Sequence, residues 1–305
     1  MIPTDDIGVY SSIEGALCVQ DQSLAAESGC VHKGQEGRKR KHVFRQDDPG
    51  VLAVALGENS VRILAIHHLI TRYNLDAVVV PPRTENKDLA TLWRIVLGAD
   101  HVVSDANSIP AKFKDARVSA PSSLDWFFGS TAWTVFEGVM WESGFFDTSE
   151  LRVDPPLVFS CDHRARAVMI YPIESTQGNR VYDSDFWIAT CALFRRRGYR
   201  INHLGTRDHP NLTKFYSTVE FDRHFDPTID NLAACVAASS IAIGSSTGPT
   251  WTLLFSDIEQ IVLEAKQPPH DCWFFDRCNQ VLSKRLHIFP TLDSLIRDCE
   301  YVPKR

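Results

Sequence analysis

The sequence predicts an α/β protein with two doubly wound, Rossmann-like domains that face each other across a cleft. Apolar strands alternate with amphipathic helices in two successive series along the 305 residues. Alternation with short connections is typical of parallel sheets covered by helices. Because Pro155 and Pro156 separate the two series, we expect a poorly ordered leader at 1–48, an N-terminal domain at 49–156 and a C-terminal domain at 157–305.

The first series begins at VLAVALGENS, residues 51–60, which predicts a strand that ends in a glycine turn. The stretch VRILAIHHLITRY follows with helical spacing of its apolar residues, and LDAVVVPP predicts the next strand. A strand, a helix and a second strand with short connections form a parallel βαβ unit. LATLWRIVLG and ADHVVSD then predict one more helix and one more strand.

The second series repeats this alternation. Strands are predicted at AVMIYPI, RINHLG, IAIGSS and QIVLEA, and helices at SDFWIATCALFRRRGY, TIDNLAACVAASS and GPTWTLLFSD. Ser184 is the expected N-cap of the first of these helices. Ligands of doubly wound domains bind at the carboxyl ends of the strands, so the turns after these strands are candidate sites.

Charge and hydropathy favour a cytoplasmic protein with a discrete ligand. The net charge of −6 and the pI near 6.0 give no sign of a general affinity for nucleic acid. We expect neither a membrane span nor a signal peptide, because no apolar run approaches the roughly 18 residues that a span needs. Peripheral attachment at the inner membrane stays open, since the basic run at 38–41 could contact an anionic head group; a solvated basic stretch is the simpler interpretation.

The eight cysteines are scattered, and several lie in apolar runs. A thiol in such a run is usually a small buried hydrophobic group of a reduced protein. The nearest approach to metal-ligand spacing is Cys272 and Cys278 beside His270, which is a weak signal. We therefore expect no metal site.

An aromatic, irregular segment at 121–156 contains Trp126, Trp133 and Trp141. These rings could line a cleft and stack on a sugar. Packing in the core of the first domain is the simpler interpretation.

The strongest local signal is the turn in IAIGSSTGPTWTLLFSD, residues 241–257. Pro249 stands in the first helical turn, where its missing N–H would have no helical partner. Hydroxyls and unpaired backbone N–H groups would form a cup of donors for an anion such as a pyrophosphate. The residues of this cup are Ser245, Ser246, Thr247, Gly248 and Pro249. An ordinary capped turn accounts for the local chemistry equally well, and the turn has neither a Walker A lysine nor three fingerprint glycines.

The helix DNLAACVAAS, the strand IAIG, the turn SSTGPT and the apolar helix after it together resemble the donor-binding half of the bacterial heptosyltransferase family. Those proteins are glycosyltransferases with the GT-B fold. The family typically has an acidic residue, Thr-Gly-Pro, one variable residue and His at this turn. Thr247, Gly248 and Pro249 match, whereas Ser246 stands at the acidic position and Trp251 at the histidine position.

Two further stretches carry the resemblance, which extends over residues 51–265. In YPIESTQGNRVYDSDFW, Arg180 is the best match to a basic residue that the family has ahead of a helix. LGENSVRILAIHHL is similar to the family's Gly-Asp turn before its first helix, with Glu58 at the position of the acid.

The resemblance implies that a sugar passes from a nucleotide-diphosphate-sugar to an acceptor hydroxyl in one inverting, metal-independent displacement. Glu58 would be the general base, and Arg180 would offset the charge of the leaving diphosphate. Thr206, after the strand RINHLG, would contact the nucleotide. The nucleotide-sugar is a co-substrate and no cofactor is implied; the acceptor would be a glycan, a lipid-linked molecule or a small molecule. Plain structural roles for these three residues stay open.

Three alternatives stay open as well. A catalytically inactive nucleotide-sugar-binding or scaffolding protein of the same fold would account for Ser246 and Trp251. A nucleotide-sugar epimerase or hydrolase would need no acceptor. A nonenzymatic interaction protein would present the aromatic segment to a partner.

Overall fold

The computed structural model describes residues 39–47, 56–84, 86–120, 132–145, 153, 155–172, 182–245, 247–263 and 286–289. The strands in these ranges are β1 (Lys41–Arg45), β2 (Asp76–Val80), β3 (Arg117–Ser119), β4 (Ala167–Tyr171), β5 (Arg200–Leu204), β6 (Arg223–Phe225), β7 (Ile241–Ser245), β8 (Glu259–Leu263) and β9 (Leu286–Phe289). The α-helices are α1 (Leu56–Arg72), α2 (Lys87–Leu97), α3 (Ala132–Glu142), α4 (Ser184–Arg196), α5 (Thr213–Thr218), α6 (Ile229–Ala237) and α7 (Gly248–Thr252).

The strands form two parallel sheets, one with the order β2-β1-β3 and the other with the order β6-β5-β4-β7-β8-β9. Both sheets lie in one compact unit of residues 40–305. The parallel sheets and their intervening helices confirm the predicted α/β class. The division into domains at residue 156 stays a prediction.

The first strand begins earlier than predicted. Strand β1 lies inside the stretch that was expected to be a poorly ordered leader, and it is the central strand of its sheet, between β2 and β3. His42, Val43 and Phe44 are buried there, which stabilises a strand of only five residues. The strand is difficult to predict from the sequence, because its three buried residues form a very short hydrophobic pattern next to a run of lysine and arginine. The predicted strand at 51–55 lies outside the described residues.

Helix α1 also begins earlier than predicted, at Leu56. Residues 57–60 are therefore helical and do not form the expected turn. Most residues from Asn59 to Leu69 are buried, as is typical of a helix packed on nearly all sides. Within the described ranges, none of the helices is both long and apolar enough to cross a bilayer.

The strand predicted at ADHVVSD is reduced to one residue. Val102 makes a single parallel bridge with Val79, after a short 3-10 helix at Ala99–His101. Asp105 then caps a second 3-10 helix by accepting the backbone N–H groups of Asn107 and Ser108. Residues on both sides of Val102 lie in these turns, so they cannot extend the strand.

In the second sheet, strands β4, β5, β7 and β8 lie where the sequence predicts them. Asp183 is the N-cap of α4 and accepts the backbone N–H of Phe186 at 2.9 Å. The expected cap, Ser184, is the first helical residue instead, and its Oγ donates to the carbonyl of Asn211. The final predicted helix is shorter than expected, since α7 ends at Thr252 and a 3-10 helix follows.

One hydrophobic core joins residues of both series around α1, α3 and α7. Leu64 of α1, Met140 of α3 and Trp251 of α7 are all buried in it. Full burial of one such side chain contributes roughly 1.5–3 kcal/mol, so this core strongly favours contact between the three helices. Trp141 lies outside the core with 47% of its surface exposed. Trp126 and the side chain of Trp133 lie outside the part of the chain that the structure describes.

Candidate functional site

The predicted anion-binding turn is a tight turn between β7 and α7. Thr247 is the N-cap of α7, and its backbone N–H donates to Thr250 Oγ1 at 3.4 Å. The two threonine hydroxyls both donate to the carbonyl of Ser245, at 3.2 Å from Thr247 and 2.6 Å from Thr250. Pro249 lies in the first turn as predicted. Ser246 lies outside the described residues.

The turn is more enclosed than the open cup that the sequence predicts. Ser245, Pro249 and Thr250 are buried, and Thr247 is 7% exposed. Both described threonine hydroxyls are held by a backbone carbonyl of the turn itself, and Leu56 of α1 packs against Gly248. An incoming diphosphate would meet a preorganised backbone and would compete for these hydroxyls.

The first turn of α1 packs directly against the first turn of α7. A Cβ added to Gly57 would lie 2.5 Å from Trp251 Cδ1, and one added to Gly248 would lie 3.0 Å from Leu56 Cβ. Both glycines therefore allow a close approach of the two helix starts. One helical turn further on, Ser60 Oγ and Thr252 Oγ1 share a buried hydrogen bond of 3.0 Å.

Glu58 lies in the same first turn of α1. Its carboxylate belongs to a polar network that also contains Arg62 and Gln46. Arg62 Nε and Nη2 donate to Glu58 Oε1 at 3.1 and 3.0 Å. Arg62 is 1% exposed, and its Nη1 donates to Gln46 Oε1 at 3.0 Å. The Glu58 side chain keeps 19% of its surface exposed, so the carboxylate is anchored at one oxygen and still reaches solvent.

Sequence reasoning did not identify Arg62. The available signal was its spacing, since a glutamate and an arginine four residues apart lie on one face of a helix and form an ion pair. What spacing does not reveal is the burial of the arginine, which depends on the packing of α1 against the rest of the chain.

Thr206 lies at the same edge of the six-stranded sheet as the turn. It follows Gly205 at the carboxyl end of β5 and is exposed. Strands β5, β4 and β7 are parallel neighbours, so their carboxyl ends share one edge. The remaining predicted site residue, Arg180, lies outside the described residues.

Tyr171 ends β4, between β5 and β7, and was not identified from the sequence. Its hydroxyl shares a hydrogen bond of 3.3 Å with Thr250 Oγ1. A Cβ on Gly244 would lie 2.0 Å from the Tyr171 ring, so only glycine leaves room for it. Burial raises the pKa of Tyr171, which keeps the phenol neutral. Tyr171 thus packs against the turn through its contacts with Gly244 and Thr250.

A histidine pair adds a neutral polar group near this edge. His203 Nδ1 and His224 Nδ1 lie 2.9 Å apart, and the two rings are stacked. Burial, with smaller contributions from the charges of His224 and Arg207, lowers the pKa of His203 to about 3. His203 is therefore uncharged at neutral pH.

No protein-family model matches the chain, and no curated protein matches it in sequence. Solved structures match it in fold. The E. coli heptosyltransferase WaaC with ADP is 9% identical, with 86% of this chain and 99% of that chain covered and a TM-score of 0.57. A glycosyl transferase family 9 protein from Veillonella parvula is 11% identical, with 89% and 94% covered and a TM-score of 0.50.

A third match is the iron-containing dodecameric glycosyltransferase TibC from enterotoxigenic E. coli. It is 13% identical, with 76% of this chain and 60% of that chain covered and a TM-score of 0.50. At such identities the likeness is one of fold. The chain has a heptosyltransferase-like α/β fold, which confirms the resemblance that the sequence predicts.

Proposed function

We propose that the protein is a glycosyltransferase that moves a sugar from a nucleotide-diphosphate-sugar to an acceptor hydroxyl. The contact between the first turn of α1, which contains Glu58, and the Thr247-Gly248-Pro249 turn carries this proposal. In a heptosyltransferase-like fold, that contact would hold the helix turn that contains Glu58 next to the turn that is the candidate diphosphate site. Support for the donor class comes from a fold neighbour, the heptosyltransferase WaaC, whose structure contains ADP.

The donor would bind at the carboxyl edge of the six-stranded sheet, in a GT-B arrangement in which the two sheets belong to facing halves. Doubly wound sheets bind nucleotides at this edge. The diphosphate would lie against the backbone of the turn at 245–249, and the nucleotide would reach toward Thr206.

Glu58 would act as the general base. Arg62 donates to Oε1 through both Nε and Nη2, so Oε2 would accept the proton of the acceptor hydroxyl as that oxygen attacks the anomeric carbon. A single displacement of this kind inverts the configuration. A positioned base contributes typically 10²- to 10⁴-fold to the rate.

The leaving diphosphate would be stabilised by Arg180 and by backbone N–H groups of the turn. A guanidinium binds phosphate oxygens with two parallel hydrogen bonds, and backbone dipoles are fixed before the charge develops. The transfer would therefore need neither a metal ion nor a cofactor. The acceptor would be a glycan, a lipid-linked molecule or a small molecule, which would place the reaction in glycan biosynthesis.

A catalytically inactive nucleotide-sugar-binding protein of the same fold is the second candidate. One observation favours it: Trp251, at the family's histidine position, is buried against Gly57. No ionisable side chain is then available at that position. An epimerase or hydrolase differs from both candidates, because it would form its product without an acceptor.

Two measurements on the purified protein separate these functions. A panel of nucleotide-sugars is first screened by thermal shift, since a ligand at 100 times its Kd adds about 2.7 kcal/mol to stability. Release of nucleoside diphosphate from the stabilising donor is then measured with and without acceptors. A transferase shows acceptor-dependent release, the inactive protein shows binding alone, and an epimerase or hydrolase shows a product without acceptor.

The variant Glu58→Gln tests the base directly. We expect kcat to fall about 10²- to 10⁴-fold with donor affinity nearly unchanged. Glu220→Gln, at an exposed position on the same chain, is the matched control and should keep wild-type turnover. Unchanged turnover in Glu58→Gln would remove Glu58 from the mechanism.

A further inference from the structure

A second polar cluster lies on the segment that leads into β4 and on the residues just before β8. Cys161 Sγ lies 3.2 Å from His163 Nδ1 and 3.7 Å from Nε2. His163 Nε2 lies 3.0 Å from Asp257 Oδ2. One donor atom from each of the three residues lies within 4.8 Å of the other two. A thiol, an imidazole and a carboxylate therefore surround one point.

These spacings fit the edges of a metal-centred tetrahedron. Zinc binds sulfur at about 2.3 Å, nitrogen at about 2.0–2.1 Å and oxygen at about 2.0–2.2 Å, so tetrahedral angles separate neighbouring donor atoms by roughly 3.3–3.6 Å. The 3.7 Å sulfur-to-Nε2 and 3.0 Å Nε2-to-oxygen separations are close to those values, and the His163 ring would turn on metal binding, because Cys161 Sγ lies nearer to Nδ1, at 3.2 Å. Sulfur, nitrogen and oxygen ligands in this geometry are typical of zinc.

Each ring nitrogen of His163 has its own neighbour, since Nδ1 lies 3.2 Å from Cys161 Sγ and Nε2 lies 3.0 Å from Asp257 Oδ2. What differs from a nucleophilic cysteine relay is the approach of the sulfur to the carboxylate. In such a relay the imidazole stands between the thiol and the carboxylate, because one ring nitrogen serves each of them. Here the sulfur and a carboxylate oxygen of Asp257 also lie within 4.8 Å of each other. The thiol is thus close to the carboxylate as well as to the ring.

The backbone around the cluster is already fixed. Asp257 Oδ1 accepts the backbone N–H of Cys161 at 2.7 Å, which orients the carboxylate. Phe159 and Ser256 form a parallel bridge, and the backbone N–H of Asp257 donates to the carbonyl of Phe159 at 3.3 Å. Bonds of this kind around the ligands orient them before a metal arrives.

The cluster is separate from the proposed donor site. Cys161 and His163 precede β4 and Asp257 precedes β8, so they lie at the amino edge of the six-stranded sheet. The turn at 245–249 lies at the carboxyl edge. The His163 side chain is 56% exposed, so a metal could enter from solvent and keep a water as its fourth ligand.

We propose that Cys161, His163 and Asp257 bind one zinc-class divalent transition metal ion. The ion clamps the segment before β4 to the residues before β8. It takes no part in the proposed sugar transfer, because it lies at the opposite edge of the sheet. Since metal binds the folded chain through preorganised ligands, it raises stability in proportion to its occupancy.

The test is titration of the metal-free full-length protein with Zn²⁺ by calorimetry, followed by Co²⁺ as a spectroscopic probe. The wild-type protein should bind one equivalent at this site, and the Co²⁺ form should show a thiolate charge-transfer band. Cys161→Ser should abolish that band, and His163→Gln should weaken Zn²⁺ binding at least tenfold. His163→Gln changes an exposed side chain and is therefore expected to fold.

Two controls define the site. Asp162→Asn changes a neighbouring carboxylate that lies outside the cluster and should leave the affinity unchanged. Cys272→Ser combined with Cys278→Ser removes the other candidate thiols and should leave the band in place. The proposal is overturned if the wild-type protein binds no Zn²⁺ or if Cys161→Ser and His163→Gln bind it as the wild type does. Loss of the band only in the Cys272→Ser and Cys278→Ser protein would also overturn it.

Discussion

Gly57 of α1 and Trp251 of α7 are in direct contact, and a Cβ on Gly57 would lie 2.5 Å from Trp251 Cδ1. The two residues come from opposite halves of the chain. Gly57 is followed directly by Glu58 in the sequence, and Trp251 follows the Thr247-Gly248-Pro249 turn by two residues. The packing of two helix starts therefore sets the geometry of the proposed site.

The first prediction concerns Gly57→Ala. Alanine normally stabilises a helix by about 1 kcal/mol relative to glycine, but here its methyl group would displace Trp251. Overpacking of this kind costs typically 1–3 kcal/mol, so we expect a net loss of free energy of unfolding. Urea denaturation measures it. Gly138→Ala in α3 is the matched control, because no atom of the described residues lies within 4 Å of its added Cβ, and it should stabilise the protein. Stabilisation by both substitutions would contradict the close contact.

The second prediction concerns the bond between Glu58 and Arg62. Arg62→Met removes the buried donor of three hydrogen bonds to Glu58 and Gln46. Bonds to charged groups contribute about 1.5–3 kcal/mol, so the free energy of unfolding should fall by roughly 2–4 kcal/mol. A double-mutant cycle with Glu58→Gln should give a coupling of at least about 1 kcal/mol. Additivity within about 0.5 kcal/mol would mean that the pair does not interact.

The third prediction concerns Thr250, whose hydroxyl connects the turn to Tyr171 and to the carbonyl of Ser245. Thr250→Val keeps the shape and leaves these buried groups without that hydroxyl, which should cost about 1–3 kcal/mol. Thr213→Val is the control, because its hydroxyl bonds the carbonyl of Pro210 at an exposed position. We expect the control to change stability by no more than about 0.5 kcal/mol. Equal effects at the two positions would show that the turn is not held by Thr250.

The fourth prediction concerns pH. The unfolded His203 ring binds a proton near pH 6.5, whereas the folded one does so only near pH 3 because burial lowers its pKa. Between these values the unfolded chain binds more protons, so stability rises with pH. The contribution of His203 is complete above pH 6.5 and is lost as the pH falls toward 3, by roughly 4–5 kcal/mol.

Denaturant unfolding between pH 7 and pH 4 checks this contribution. His203→Gln should have a shallower loss of stability on acidification than the wild type. The control is His209→Gln, at a half-buried position outside the stacked pair, which should follow the wild-type slope. An unchanged slope in His203→Gln would contradict the assignment.

Much of the second sheet could be predicted from the sequence because buried parallel strands appear as continuous apolar runs. Strands β4, β7 and β8 are of this kind. Strand β1 is not, since its three buried residues lie between Lys41 and Arg45. The stretch ADHVVSD shows the opposite error, because local turns at Gly98 and Asp105 override its apolar residues.

The candidate site was less predictable because its contacts join distant parts of the chain. Ser60 and Thr252 are 192 residues apart, and Cys161 and Asp257 are 96 apart. A motif such as Thr-Gly-Pro identifies a turn, but burial of its hydroxyls depends on what packs above it. The packing of Leu56 of α1 against Gly248 could not be derived from local spacing.

The most direct test of the proposed donor site is calorimetric titration with the nucleoside diphosphate of the donor that stabilises the protein. A methyl group at Gly248 would press on Leu56 and occupy the proposed approach to the turn. We expect Gly248→Ala to bind the nucleotide at least tenfold more weakly than the wild type, while Gly138→Ala binds it normally. Equal affinity in all three proteins, or no binding by the wild type, would contradict a diphosphate site at this turn.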